Sequence, residues 1–592
     1  MNKNLKKVTH NVDLCIVGGG MSGMCAAIAA ARHDLKVVLM HDRPMFGGNA
    51  SSEIRMWICG AHGENNRETG IIEEIILENI YRNPYRTWPI WDTVLFEKIK
   101  SEPNITPILN CSCNDAEMDG DKIVSISGWQ TTTQLWHTVT ADYFADCSGD
   151  SILAPLTGAE FRVGREACGE FDESLAPETA DRKTMGLSCL MQGREMPQKR
   201  GFIPSPWAHK FTKEQLEKIN KFPTVEPLDN YWALELGGEN DSIHDTEELR
   251  DELLKIALGM WDYLKNDSGI KDAENYDLDF LGFLPGKRES RRYVGDYVMT
   301  QNDVRAEGKF DDLIAYGGWS MDDHNPGGFY SEEPPTIFHD APSPFGIPYR
   351  CIYSKNISNL FFAGRNISVT HMALSSTRVM ATCATLGQAL GTAAAIASQH
   401  KTTPRGVYEK YIDLLKQTLM DDDCYLPFNE HKVSDITSNA KITSTGANAE
   451  LLRNGNERKI GDTDNCWVGK PGDTITFTFD KPEKIHEIRF VFDSDLNRRT
   501  TCPDGIPGVH EHSMLCHVPL DNPPQNVPAT LVKNLKTEVL TKDEKWTPAA
   551  EIKDNHMRLV KQKTDAETTA VRFTLTETNG QDTVGIYSID LR

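Results

Sequence analysis

The chain reads as an α/β protein with a Rossmann-like domain first, an α+β region inserted into that domain, and an all-β sandwich at the C-terminal end. Three observations predict this. Residues 12–23, Val-Asp-Leu-Cys-Ile-Val-Gly-Gly-Gly-Met-Ser-Gly, join an apolar run to G-x-G-x-x-G at Gly18, Gly20 and Gly23, and an Ala-rich stretch follows from Met24 to Ala31. Residues from about 160 to 345 lose that strand–helix rhythm and are rich in Pro, Trp, Tyr and charge. From about residue 433 onward strict alternation takes over, as in Thr474-Ile475-Thr476-Phe477-Thr478-Phe479.

Each element has a physical reason. Val12 to Val17 suits a strand buried on both faces of a parallel sheet. Gly18 allows the tight turn, Gly20 lets a pyrophosphate approach the backbone, and Gly23 lets helix and strand pack closely. The helix start at Met21 and Ser22 offers N–H groups and a positive dipole end to phosphates. A second strand is expected from Leu35 to Met40. Strand, glycine turn, helix and strand together point to a dinucleotide site. Such a site uses an acid near the end of the second strand for ribose hydroxyls. Asp42 has that chemistry, flanked by Arg43, while His41 holds the usual position. Gly47-Gly48 with Asn49 and Ser51 suits a loop wrapped around the cofactor.

Helices are expected from Ile71 to Ile80 and from Thr93 to Lys100, and a strand from Ile105 to Cys113. A hairpin with Asp119-Gly120 at its turn follows, with strands from Ile123 to Trp129 and Thr138 to Phe144. Ala145-Asp146-Cys147-Ser148-Gly149-Asp150 is a strand running into a tight turn with an acid. In the irregular region two patches stand out, Arg288-Glu289-Ser290-Arg291-Arg292 and Gly317 to Gly328, which contains Trp319, Asp322, Asp323 and His324. Clustered charge and aromatics in a Gly/Pro-rich loop suit a polar ligand; a solvated loop with salt bridges is the alternative. Leu360 to Ala363 is a short strand ended by Gly364-Arg365, and a helix of small residues begins near Arg378. One more helix runs from Arg405 to Met420. Beyond it, Ile485 to Phe492, Ala570 to Leu575 and Gly585 to Leu591 also alternate, and Cys502 to Pro528 reads as a long Pro-rich loop.

The totals bound the function. The 592 residues, 39% apolar and 25% charged, support a large core. A formal net charge of −23 without a basic run argues against nucleic acid and anionic membranes as partners. The 14 cysteines are scattered, Met1 to His10 contain no apolar secretory core, and a cytoplasmic location is expected. No metal spacing, Walker A motif or G-x-S-x-G elbow is present, so no metal is expected. The absence of a second G-x-G-x-x-G leaves the electron acceptor unnamed.

As a set these motifs resemble the FAD-binding domain of the glutathione-reductase-like flavoproteins. They are most similar to the FAD-dependent oxidoreductase family whose pattern reads GGN-x-SSE, a TGD-like turn and then GREA. Here those are Gly47-Gly48-Asn49-Ala50-Ser51-Ser52-Glu53, Ser148-Gly149-Asp150 and Gly164-Arg165-Glu166-Ala167. Pro285 to Arg292, Gly317-Gly318-Trp319 and Asn359 to Arg365 add to it. The resemblance covers about residues 10–425 and departs at His41, where most flavoproteins of the fold carry Glu. It implies a GR2-type fold and FAD as cofactor. The implied contacts are Gly18, Gly20, Met21, Ser22, Gly23, His41, Asp42, Arg43, Gly47, Gly48, Asn49, Ser51, Cys113, Ser148, Gly149, Asp150, Gly364, Arg365 and Arg378. The FAD domain then spans 1–160 and 346–430, around a substrate domain at 161–345. Residues 433–592 resemble a galactose-binding-like jelly roll, expected to be independent of the flavin chemistry, with Trp467 and Trp546 as sugar-stacking candidates.

The function expected is hydride transfer between flavin and a polar, carbohydrate-like small molecule. The alternative is a non-catalytic carbohydrate-binding protein on the same scaffold. His371 lies between the returning strand and the helix expected to face the flavin, and is the candidate acid/base. Arg288 and His324 are the candidates for holding substrate oxygens. Formation of a homo-oligomer is left open.

Overall fold

The structure is a computed structural model, and it describes residues 5–221, 232–498, 512, 514, 515, 518 and 522–592. Contacts divide the chain into two compact units. The first holds residues 1–60, 85–412 and 512–523; the second holds 61–84, 413–511 and 524–592. This differs from the sequence-based boundaries in two ways. The region 161–345 clusters with the Rossmann-like part, and the C-terminal unit takes in 61–84 from near the start of the chain. Most of the stretch expected as a Pro-rich loop lies outside the described residues.

In chain order the first elements are β1 (Lys7–Val17), α1 (Met21–Arg32), β2 (Val37–Met40), α2 (Ile71–Arg82), α3 (Trp88–Lys100), β3 (Ile105–Ile108), β4 (Cys111–Asp119), β5 (Lys122–Gln130) and β6 (Leu135–Asp146). Further on come β7 (Met321–His324), β8 (Thr336–His339), β9 (Leu360–Phe362), α4 (His371–Thr377), α5 (Met380–Gln399) and α6 (Pro404–Asp421).

The main sheet of the first unit has seven strands, in the order β3-β2-β1-β6-β5-β4 with β9 also paired to β6. β1, β2, β3, β6 and β9 run parallel where they pair, and β4, β5 and β6 form an antiparallel meander. Leu14, Cys15 and Ile16 are fully buried, as a strand covered on both faces requires. The expected strand from Ile105 to Cys113 is two strands, because Asn110 is left-handed (φ 54°) and turns the chain between them. The helix expected from near Arg378 is α5, and a short helix not expected from the sequence, α4, precedes it, separated by the extended Val379.

Small residues set the packing of α5 on α1. A Cβ on Gly387 would lie 2.0 Å from Ser22 O, and one on Gly391 would lie 2.2 Å from Ala26 O. Among the described residues α5 is the one helix long and apolar enough to cross a membrane, and here it is a buried core helix. The region 161–345 adds short two- and three-stranded sheets around a helix at Thr246–Asp262. Leu253, Ile256, Met260, Trp261 and Phe329 give it a core.

Apart from α2, the end of α6 and short helical segments, the described part of the second unit is built of β-strands. Its strands are β10 (Lys441–Ser444), β11 (Trp467–Gly469), β12 (Thr474–Phe492), β13 (Val532–Leu540), β14 (Trp546–Ile552), β15 (Leu559–Thr578) and β16 (Val584–Leu591). They form one seven-stranded antiparallel sheet in the order β11-β16-β12-β15-β13-β14, with β10 on β12. The runs Thr474–Phe479 and Ile485–Phe492 belong to one long strand, β12, whose register against β15 shifts between them. That irregularity lets its first half pair with β10 and its last part with β16. Phe477, Phe490, Phe573, Ile586 and Ile589 are core, and Leu77 of α2 belongs to the same cluster. Glu73 of α2 is fully buried and binds Arg498 at 2.8 Å and the Ser494 hydroxyl at 2.8 Å. The sandwich thus uses residues well upstream of 433.

Trp467 is a core residue and not a sugar-stacking one. It is fully buried, its Nε1 donates to Ser444 Oγ at 2.7 Å, and Gly446 and Gly469 leave the room its indole fills. Trp546 remains half-buried, 4.4 Å from the Arg572 guanidinium.

Candidate functional site

The first part of the site is a backbone cradle. Gly18 is left-handed (φ 106°), and a Cβ there would lie 2.3 Å from Cys147 O. A Cβ on Gly23 would lie 1.8 Å from Gly18 O, so α1 and β1 approach as closely as the motif requires. Gly20 bridges Gly47, and Gly47 N–H donates to Gly19 O at 2.9 Å. The two glycine loops therefore face each other, and a Cβ on Gly48 would come within 3.0 Å of Gly20 Cα. No side chain caps the first turn of α1, whose N–H groups stay available to an anion. Beside them stand Ser22 Oγ, with the Cys147 thiol next to it, and Asn366 Oδ1, which is buried without a hydrogen-bond partner. Both lie 3.6 Å from where a Cβ on Gly364 would stand. The donors and the side-chain-free backbone fit a pyrophosphate-bearing cofactor.

His41 is placed differently from a ribose ligand. Its ring is buried, Nδ1 accepts from Gly19 N–H at 3.0 Å, and Nε2 donates to Met45 O at 3.1 Å. Burial lowers its pKa to about 4, so it is the neutral tautomer those two bonds need. With both nitrogens used, His41 braces the glycine loop, and the neighbouring Asp42 carboxylate is 64% exposed. Asn49 Nδ2 donates to Lys287 O at 3.3 Å, and Ser51 Oγ donates to Gly48 O at 2.8 Å, so both hold the loop together. Arg43 lies 3.9 Å from Glu53. Cys113 is buried on β4 and its thiol is pushed up to about 12 by burial, with the Asp146 charge adding to it.

The turn after β6 is locked by ions. Ser148 Oγ donates to Asp146 Oδ1 at 2.7 Å, and Tyr293 OH donates to Asp146 Oδ2 at 2.7 Å. Gly149 O accepts from Arg365 Nε at 3.1 Å. Asp150 receives Arg365 at 2.5 Å, Lys287 at 2.8 Å and Ser290 Oγ at 2.8 Å. Burial raises its pKa, but Arg365 and Lys287 outweigh that and keep it below the usual carboxylate range. The Gly364-Arg365 turn is thus tied to the Gly149-Asp150 turn and to the basic patch.

The second part is a pair of carboxylate–imidazole–carboxylate arrays. His371 opens α4, whose cap is the Thr370 hydroxyl. Its Nδ1 lies 2.8 Å from Glu289 and its Nε2 lies 3.1 Å from Asp323. His324 repeats the pattern, with Nδ1 2.6 Å from Glu235 and Nε2 3.3 Å from Asp322. The inner carboxylates accept successive backbone N–H groups, Met185 to Glu289 at 2.9 Å and Gly186 to Glu235 at 2.7 Å. The outer ones are successive residues of β7, so the arrays lie on opposite faces of that strand. Arg292 extends the first array, binding Glu289 and Glu166, and Glu166 accepts the His371 backbone N–H at 2.9 Å. Arg378 extends the second, 3.0 Å from Asp322. Arg288 donates to Ser188 Oγ at 2.9 Å and Trp232 O at 3.1 Å, and lies 3.4 Å from Glu235.

The electrostatics change the role open to His371. Burial alone would lower its pKa, yet Glu289 and Asp323 raise it to about 10. It is an imidazolium with both N–H groups engaged, not a neutral base open to a hydroxyl proton. The structure therefore brings together His371, His324, Arg288 and Arg378. It also brings in residues that the sequence reading quoted only inside patches or motifs, namely Glu289, Asp323, Asp322, Arg292 and Glu166, and one it did not single out at all, Glu235. The available signal was charge density in stretches that are buried here rather than solvated. Among the described residues no group of His, Cys, Asp and Glu is arranged to hold a metal.

Curated proteins give no match. A geranylgeranyl bacteriochlorophyll reductase-like protein from Thermoplasma acidophilum is similar over 70% of this chain and 85% of its own, at 12% identity and a TM-score of 0.30. The family 32 carbohydrate-binding module of Streptococcus pneumoniae EndoD is similar over 27% of this chain and 99% of its own, at 14% identity and a TM-score of 0.20. The corresponding module of C. perfringens NanJ, solved with galactose, gives 27%, 97%, 10% and 0.19 in the same order. The sequence profile of the FAD dependent oxidoreductase family matches residues 13–419, and the chain, with its facing glycine loops and open helix start, belongs to that family.

Proposed function

We propose that this protein moves hydride between FAD and a polar, carbohydrate-like substrate, and that its FAD domain is of the GR2 type with 161–345 inserted as the substrate region. The observation that carries the reading is the pair of buried carboxylate–imidazole arrays. They belong to the same unit as the cradle, and at their ends Asp323 Oδ2 and Arg378 Nε have no bonded partner among the described residues, an acceptor and a donor suited to hydroxyl groups. Gly20, Met21, Ser22 and Gly48 would hold the pyrophosphate, Asp42 the ribose, and Gly364 and Arg365 the part nearer the ring. FAD supplies the two-electron chemistry when bound. The protein's own residues orient the substrate and handle its proton. Arg288 and Arg378 hold substrate oxygens, the latter expected at the cofactor but lying beside Asp322 in the second array. His324, with both nitrogens engaged, fixes Glu235 and Asp322, and reoxidation falls to a separate acceptor. In the C-terminal unit, sugar contact falls to Trp546.

Spectroscopy of the purified full-length protein tests this. Flavin absorption that bleaches anaerobically with an aldose or cyclic polyol is the expected result. A colourless protein that binds glycans, or a yellow one that no member of a broad sugar panel reduces, would overturn it.

A further inference from the structure

We propose that Asp323 is the catalytic carboxylate that accepts the substrate's hydroxyl proton, with His371 as its positioning residue. The assignment rests on the hydride-transfer reading above.

Exposure selects Asp323. Along the chain Glu166–Arg292–Glu289–His371–Asp323, the side chains are 4%, 1%, 0%, 2% and 23% exposed. A substrate reaching this array meets Asp323 first. His371 cannot be met directly, because Glu289 and Asp323 occupy its two nitrogens. Asp323 Oδ1 accepts from His371 Nε2, and among the described residues no donor is bonded to Oδ2. The other half-exposed groups of the neighbourhood are already matched. Arg165 and Asp181 form a bidentate pair, at 3.1 and 2.5 Å. Asp322 has Arg378, His324 and the Thr336 hydroxyl.

The balance is simple. The substrate O–H bond breaks and an O–H bond forms on Asp323. The oxygen keeps the electron pair, which becomes the second bond of the new carbonyl. The C–H bond leaves with its two electrons as hydride to oxidised FAD, so the substrate is oxidised by two electrons. The fixed imidazolium keeps Asp323 ionised before the transfer. Burial raises the Asp323 pKa, but His371, Arg165 and His324 outweigh it and hold it below the ordinary value. The base form therefore persists to low pH.

The test uses the full-length FAD-loaded protein, mixed anaerobically with galactose, N-acetylgalactosamine, glucose and myo-inositol while flavin bleaching is followed. In D323N the bleaching rate should fall at least 100-fold with FAD content and flavin spectrum unchanged. D323A should show the same loss, and added formate should restore it at least 10-fold, which a merely structural residue would not allow. H371Q should move the acid limb of the pH–rate profile upward, because Asp323 loses its cation. If the wild type bleaches and D323N bleaches equally fast, or if formate restores nothing, the assignment to Asp323 is wrong. If the wild type is silent with the whole panel, the carbohydrate reading itself fails and takes the assignment with it.

Discussion

His371 and His431 are one construction used in two units. Each buried ring carries a carboxylate at both nitrogens, Glu289 and Asp323 around His371, and Glu457 and Asp421 around His431 at 3.2 Å each. The difference lies in what else those carboxylates hold. Asp421 also receives Arg592 and Lys561, and Glu457 receives Arg489. Asp323 has His371 as its one salt-bridge partner among the described residues. An array whose every oxygen is matched by a cation holds a fold together. An array with an oxygen left over can exchange a proton with something that enters.

Breaking either array at its most buried member should have the largest effect. Glu289→Gln leaves Arg292 and His371 with one carboxylate too few, and Arg489→Met leaves Glu457 and Asp421 short of a cation. Removing one partner of a buried ion pair destabilises by about 3–5 kcal/mol, so urea unfolding should show losses of that order for both. The histidines themselves should part company. His371→Gln should slow flavin bleaching by roughly 100-fold, because Asp323 loses the partner that positions it and with it the low end of what a positioned proton-transfer group contributes, while His431→Gln lowers stability and leaves bleaching within about twofold of wild type. Equal bleaching in the two variants would erase the distinction.

The pH dependence sharpens it further. The His371 pKa is raised in the folded protein, to about 10. Its stabilisation is fully present below the unfolded value near 6.5 and is lost as pH rises from there to about 10. Stability measured across that window should fall less steeply in His371→Gln. His41 has the opposite sign. Its pKa is lowered to about 4, so the unfolded chain takes up a proton that the folded one refuses, and stability falls as pH drops from about 6.5 to 4. Because that proton would displace the Gly19 N–H from Nδ1 once the folded protein takes it up, FAD affinity should weaken only as pH nears about 4, the smallest of these effects. Flavin fluorescence on acidification reads it, and His41→Asn should flatten it.

Much of the first unit was legible in the sequence because glycine chemistry is local. Gly18, Gly20, Gly23, Gly47 and Gly48 needed no knowledge of distant contacts to be read. Trp467 and His371 were harder. A tryptophan among alternating strand residues looks the same whether it faces a sugar or fills a core, and only Gly446 and Gly469 closing around it decide the matter. His371 could be placed by its segment, but its charge comes from Glu289 and Asp323, which lie 82 and 48 residues away. For the same reason Asp323 could not be separated from Asp322. Nor could α2 be assigned to the second unit, since its amphipathic pattern names an apolar partner without saying which.

That helix fixes an order of events during synthesis. Glu73 finds Arg498 only 425 residues later. At ribosomal speeds of about 5–20 residues per second, α2 leaves the ribosome roughly 20–85 s before its partner exists. Its row of Ile71, Ile72, Ile75, Ile76 and Leu77, all buried in the finished protein, spends that interval uncovered. Nascent chains stalled before residue 498 should therefore expose a sticky helix near their beginning, a natural foothold for chaperones, while the glycine-loop half upstream is already able to close on itself.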